Sequence, residues 1–282
     1  MKKQLNYLFV FIFSVFLYES TSAKQQTFVS DTIALKTAYI TINNVKLYYA
    51  EAGVGTPVLF LHGSLGTGEK HFAKQFDEFA KTHHVIALDM RGHGRSELPD
   101  GPFAIDLFTD DVFKFLQALK VDSVNLVGFS LGGVVGLHLA IQHPEKVKKL
   151  MTIGAFSTCE ALSPKSLEWI KNWDIDKMAD NMRKQFTGNP APEKLNIYMQ
   201  NLQDMFVVGK KWGIKDEDLR GISCPTLLIL GENDFFSGVE HQVHIYRTIP
   251  KSDLFILPRT GHNAQISQPE IVNKFLAEFM RN

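Results

Sequence analysis

Gly128-Phe129-Ser130-Leu131-Gly132-Gly133 is the stretch on which the reading of this chain turns. A short apolar run, Val124-Asn125-Leu126-Val127, precedes it, and a second, Val134 to Ile141, follows. The first run reads as a buried strand and the second as a helix. A Gly-x-Ser-x-Gly turn joining strand to helix holds its serine in a strained backbone conformation, as a nucleophile elbow does. Only small residues fit two places before and two places after it, where strand and helix nearly collide. The Ser130 hydroxyl then stands clear of the sheet, beside a helix N-terminus that favours negative charge. Such a place suits attack on an acyl carbon.

Working outward, short apolar strands alternate with helical stretches. Tyr39–Ile42 and Val45–Tyr49 flank Asn43-Asn44 and read as a hairpin. Strands are expected at Val58–Leu61, Val85–Leu88, Val147–Ile153, Thr226–Leu230 and Leu254–Leu257. Helices are expected over about 69–81, 105–119, 239–248 and 269–280. Alternation of this kind implies right-handed crossovers and a mostly parallel sheet with helices on both faces, the hairpin forming its antiparallel edge.

Residues 156–222 break the rhythm. They hold Trp169, Trp173 and Trp212, which are all the tryptophans of the chain, and Met178, Met182, Met199 and Met205, with no strand pattern. We read them as a helical cap inserted into a core formed by 37–155 and 223–282.

Of 282 residues, 45% are hydrophobic and 21% charged, the composition of an ordinary globular domain. A formal net charge of zero, with no basic tract, gives no footing for nucleic acid. The N-terminus differs from the rest. Lys2 and Lys3 precede a mostly apolar Leu5–Leu17 run and a small-residue site ending at Ala23. That is the pattern of a secretory signal peptide, residues 1–23, rather than of a span of about 20 residues. The expected location is periplasmic or secreted, with no stable membrane insertion after cleavage. Cys159 and Cys224 are too few for a disulfide framework and are not expected to pair.

Four motifs occur in order: His62-Gly63-Ser64-Leu65-Gly66, the Asp89–Ser96 loop, the elbow at Ser130, and Gly231-Glu232-Asn233-Asp234 followed by Gly261-His262. In this set the chain resembles the α/β-hydrolase fold superfamily, specifically its capped serine hydrolases, over roughly residues 39–280. The resemblance implies a triad with Ser130 as nucleophile, His262 as base and Asp234 as its orienting acid. Glu232 is the rival acid in the same turn. A serine hydroxyl needs such a base at neutral pH, and the base needs a carboxylate to fix its tautomer. Backbone N–H groups of Leu131 and Ser64 are expected to form the oxyanion hole. The Asp89–Ser96 loop, for all its Arg91, His93 and Arg95, is implied to be structural. Neither a metal nor a cofactor is expected.

Serine at the elbow disfavours relatives that use aspartate there. Relatives that hydrolyse C–C bonds often carry asparagine where this chain has Phe129, although Arg183 and Arg220 supply cap arginines. The expectation is hydrolysis of a carboxylic ester of a small to medium, largely apolar substrate through an acyl-enzyme. The alternatives are a C–C hydrolase or peptidase of the same fold, and a triad-bearing ligand receptor with little turnover. Oligomeric state is not legible.

Overall fold

The computed structural model describes residues 34–173, 195–208 and 212–281. The expected signal peptide, Met178, Met182 and Arg183 lie outside the described residues.

Eight strands form one sheet in the order β1-β2-β4-β3-β5-β6-β7-β8. The hairpin strands β1 (Lys36–Ile42) and β2 (Val45–Ala52) pair antiparallel at one edge. Their turn places Asn43 and Asn44 at φ 50° and 59°, the left-handed pair that a two-residue hairpin loop requires and asparagine tolerates. Strand β2 also pairs antiparallel with the next strand of the sheet, and every pairing among the strands from β3 (Pro57–Leu61) to β8 (Ser252–Leu257) is parallel. The remaining strands are β4 (His84–Asp89), β5 (Val124–Phe129), β6 (Val147–Ile153) and β7 (Thr226–Gly231).

Burial follows position. All six residues of β5 and of β7 are buried, as central strands covered on both faces must be. Two apolar cores result. Leu59, Leu61 and Leu126 serve one face, and Phe60, Val127 and Ile229 the other. Helix α1 (Gly68–Phe79) packs on the second face, and α2 (Ile105–Ala118) and α3 (Leu131–Gln142) on the first. Helix α3 is apolar nearly all round, with nine buried residues, because it lies between the sheet and neighbouring helices.

Between β6 and β7 the described residues contain α4 (Pro164–Lys171), α5 (Leu195–Gln203) and α6 (Asp216–Arg220), and no strand. Helices α7 (Gly238–Thr248), α8 (Ala264–Ser267) and α9 (Pro269–Arg281) complete the described chain. Both cysteines are free thiols. No helix among the described residues is long and apolar enough to cross a membrane.

Register carries this fold to function. Leu61 pairs with Gly128, Phe129 with Ile153, and Gly231 with Leu257. The carboxyl ends of β3, β5, β6, β7 and β8 therefore share one edge, where open α/β sheets place their ligands.

Candidate active site

Ser130 leaves β5 at φ 48° and ψ −115° and caps α3. A non-glycine residue there is strained, and persists only where its surroundings over-determine it. They do so here. The Ser130 N–H donates to Ile153 O at 2.8 Å, and the Val134 N–H donates to Ser130 O at 2.9 Å. A Cβ at Gly128 would strike the Gly132 backbone, and one at Gly132 would strike Leu61 O and His62 O.

His262 lies beyond β8, with its Nδ1 2.7 Å from Asp234 Oδ2. Asp234 side-chain atoms are fully buried, and its other carboxylate oxygen accepts the Phe236 N–H at 2.9 Å. A buried carboxylate on Nδ1 makes that nitrogen the donor, so the opposite nitrogen of neutral His262 is free to accept a proton. Glu232 is engaged elsewhere, accepting the Arg259 N–H at 2.8 Å. Of the two acids in that turn, the structure thus brings Asp234 to the imidazole.

Gly154, the residue after β6, locks this arrangement. Its φ is +58°, and a Cβ there would sit 2.8 Å from His262 Nδ1 and 3.0 Å from Asp234 Oδ2. It follows Ile153, to which the Ser130 N–H is bonded, so all three candidate residues converge on one piece of backbone. The hydroxyl of Ser130 makes no hydrogen bond to His262 among the described residues. Catalytic hydrogen bonds are often long before substrate binds. Sequence reasoning passed over Gly154, whose role depends on register across β5, β6 and β7.

The loop after β3 faces the elbow. A Cβ on Gly63 would lie 3.1 Å from Ser130 Cβ. The N–H groups of Ser64 and Leu131 donate to no protein acceptor among the described residues. For Leu131 this is the ordinary condition of a first helical residue. His62 props the loop with both ring nitrogens. Its Nδ1 donates to Gly63 O at 2.8 Å, and its Nε2 accepts the Met90 N–H at 3.0 Å. Burial pushes its pKa down to about 4, so it stays neutral.

The Asp89–Ser96 loop is occupied with itself. Asp89 accepts the Gly68 and Arg95 N–H groups at 2.9 and 3.0 Å, and Arg91 grips buried Asp111 through two bonds of 2.5 and 2.6 Å. No cluster of metal-ligating side chains occurs among the described residues. His241, on α7, turns inward. Its Nε2 accepts the Ser157 N–H at 3.1 Å, and burial pushes its pKa down to about 4.

Aromatic side chains surround the candidate base. Ring centroids of Phe236 and Phe129 lie 4.3 and 4.8 Å from that of His262. Phe235, from the loop after β7, and Trp169, from the inserted segment, extend this wall at 4.4 and 5.8 Å from Phe236. All but Phe129 are partly exposed.

Comparison with known proteins agrees with this architecture. A model of the alpha/beta hydrolase fold matches residues 56–187. The 2-hydroxymuconate semialdehyde hydrolase of Pseudomonas sp. (strain CF600) is 30% identical over 260 residues, covering 81% of this chain and 89% of the relative. The chain belongs to the α/β-hydrolase fold family. Another relative in the family, serine hydrolase BPHL of Homo sapiens, is 29% identical over 267 residues, covering 88% of this chain and 87% of its own. A solved structure described as "Est816 as an N-Acyl homoserine lactone degrading enzyme" superposes with a TM-score of 0.73 at 28% identity, covering 86% of this chain and all of that one. The relatives named are hydrolases and a lactone-degrading enzyme, so the family supports hydrolysis and leaves the bond to the site.

Proposed function

We propose that this hydrolase cleaves a carboxylic ester of a small to medium, largely apolar substrate through an acyl-enzyme on Ser130. The observation that carries the reading is the His262–Asp234 pair of 2.7 Å, held against the backbone to which strained Ser130 is bonded. In this reading His262 takes the Ser130 proton as Oγ attacks the ester carbonyl, and Asp234 stabilises the imidazolium. The carbonyl oxygen becomes negative and receives the Ser64 and Leu131 N–H groups. His262 then protonates the departing alcohol. Water, deprotonated by the same imidazole, releases the acid and restores Ser130. The partly exposed Phe235, Phe236 and Trp169 favour an apolar, including aromatic, substituent. Export by way of residues 1–23 belongs to the same proposal, on the strength of the sequence pattern alone.

A second reading, C–C bond hydrolysis, draws on the 2-hydroxymuconate semialdehyde hydrolase relative. Against it stand Phe129 at the position before the serine and the placement of Arg220. That arginine lies on exposed α6, 3.6 Å from Asp216, rather than at the site. Turnover of a panel of chromogenic esters of increasing acyl length separates the two. Multiple turnovers with esters, abolished in Ser130→Ala, support the proposal. Negligible ester turnover beside rapid cleavage of 2-hydroxymuconate semialdehyde would reject it for the second reading. Stoichiometric acylation without turnover would reject both for a receptor role.

A further inference from the structure

The loop after β3 presents three consecutive backbone N–H groups, and their fates alternate. The Gly63 N–H donates to His71 Nδ1 at 3.1 Å. The Leu65 N–H donates to the Tyr198 hydroxyl at 3.2 Å. Between them, the Ser64 N–H has no protein acceptor among the described residues. Leu65 sits at φ 62°, in the left-handed region that costs a side-chain-bearing residue, so an external bond is needed to hold it.

The two acceptors come from different parts of the molecule. His71 stands on α1, in the core, with its ring against Gly66 and edge-on to Phe129 at 4.9 Å. Tyr198 stands on α5, in the segment inserted between β6 and β7, and is fully buried. Its ring is wedged edge-on to His93 and Phe103, at 5.1 and 6.1 Å. One turn along the same helix, Asn201 Nδ2 donates to Gly101 O at 3.0 Å. Helix α5 is therefore fastened to the core at two places, one of them the loop beside the candidate nucleophile.

We propose that His71 and Tyr198 are positioning residues that clamp the Gly63–Leu65 loop from two sides, so that only the Ser64 N–H is left to point at the reacting oxygen. The seating of the α5 segment is thereby coupled to the oxyanion hole through the Tyr198 hydroxyl. This rests on the hydrolytic reading of Ser130 above. His71 accepts only when Nδ1 carries no proton. Burial, with the neighbouring imidazoles and Lys70, holds its pKa well below the ordinary histidine value and keeps it in that form.

The test uses the full chain with Tyr198→Phe, His71→Ala and His71→Asn, read by amide hydrogen exchange and by steady-state kinetics on a short-chain chromogenic ester. Tyr198→Phe keeps the ring and removes the acceptor. Exchange at Leu65 is expected to quicken at least about tenfold while Gly63 is unchanged, with kcat down about tenfold and KM within about twofold, since a donor meant for the transition state has loosened. His71→Ala is expected to free Gly63 instead, with a loss in kcat of about 10- to 100-fold. His71→Asn, whose amide oxygen reaches the same N–H, is expected to recover most of it. Unchanged Leu65 exchange and unchanged kcat in Tyr198→Phe would overturn the clamp. So would a rise in KM at constant kcat, which would make the hydroxyl a substrate contact. Failure of the hydrolytic reading shows separately, as ester turnover that survives Ser130→Ala, and leaves the exchange measurement to decide the clamp.

Discussion

The two sides of Ser130 are built on different terms. On one side, Asp234 and His262 hang from the carboxyl ends of β7 and β8, and Gly154 at the end of β6 leaves room for their bond. Everything there is placed by strand register. On the other side, the Gly63–Leu65 loop is held by side chains reaching in from α1 and α5. The proposed proton relay is thus anchored to the strand ends of the sheet. The proposed oxyanion loop shares one of its holders with the inserted segment, which also brings Trp169 against Phe236 beside His262.

The sheet-built side should break hardest. Asp234→Asn keeps the shape of the side chain but places a donor towards His262 Nδ1, so the wrong tautomer faces Ser130. We expect kcat for an ester substrate to fall about 10³- to 10⁴-fold with circular dichroism unchanged. A loss under tenfold would remove Asp234 from the relay. Gly154→Ala drives a methyl group between imidazole and carboxylate at a positive φ, and kcat should fall about 100-fold, as small misplacements do. Full activity in that variant would mean that the pair does not depend on β6.

Acid should act on the loop-built side through His62. Its folded pKa of about 4 lies below the unfolded value near 6.5, so the unfolded chain takes up the proton first. Its contribution is complete above about pH 6.5 and is lost as pH falls towards 4, when protonated Nε2 can no longer accept the Met90 N–H. His241 adds in the same direction. Asp89, raised to about 6 by burial, opposes them, gaining stability as it protonates below that pH. His71 and His93, held well below the ordinary value by burial, add further in that direction, so the histidines outweigh Asp89 and the urea midpoint is expected to fall from pH 6.5 to 4.5, less steeply in His62→Gln. A flat profile would contradict it.

Arg220→Ala touches neither side. Its exposed pairing with Asp216 is worth little, and kcat/KM should stay within about twofold. A drop of tenfold or more on any substrate would bring this arginine into the site and favour the C–C reading.

The same contrast explains what the sequence discloses. The elbow, the hairpin turn at Asn43-Asn44 and the mostly apolar central strands are local consequences of residue type, and each lies where the chain predicts it. Asp234 and His262 come from the resemblance to the family rather than from any local pattern, and the structure brings the two together because a parallel sheet delivers strand ends to one edge. Gly154 is not legible, since its neighbours His262 and Asp234 are remote in sequence and only register joins them. His71 bears no local mark on a helix in a chain with ten histidines. Tyr198 reads as one more aromatic of an apolar cap until its hydroxyl is found on Leu65. His241 bears no mark of its inward turn either, because helical spacing identifies a face but not what covers it.

The central claim is that Ser130 is the group that attacks. A fluorophosphonate probe, followed by digestion and mass mapping, tests it directly. One adduct is expected, on the peptide containing Ser130, blocked by competing ester and absent in Ser130→Ala. An adduct on another residue, or none while ester turnover continues, would contradict it.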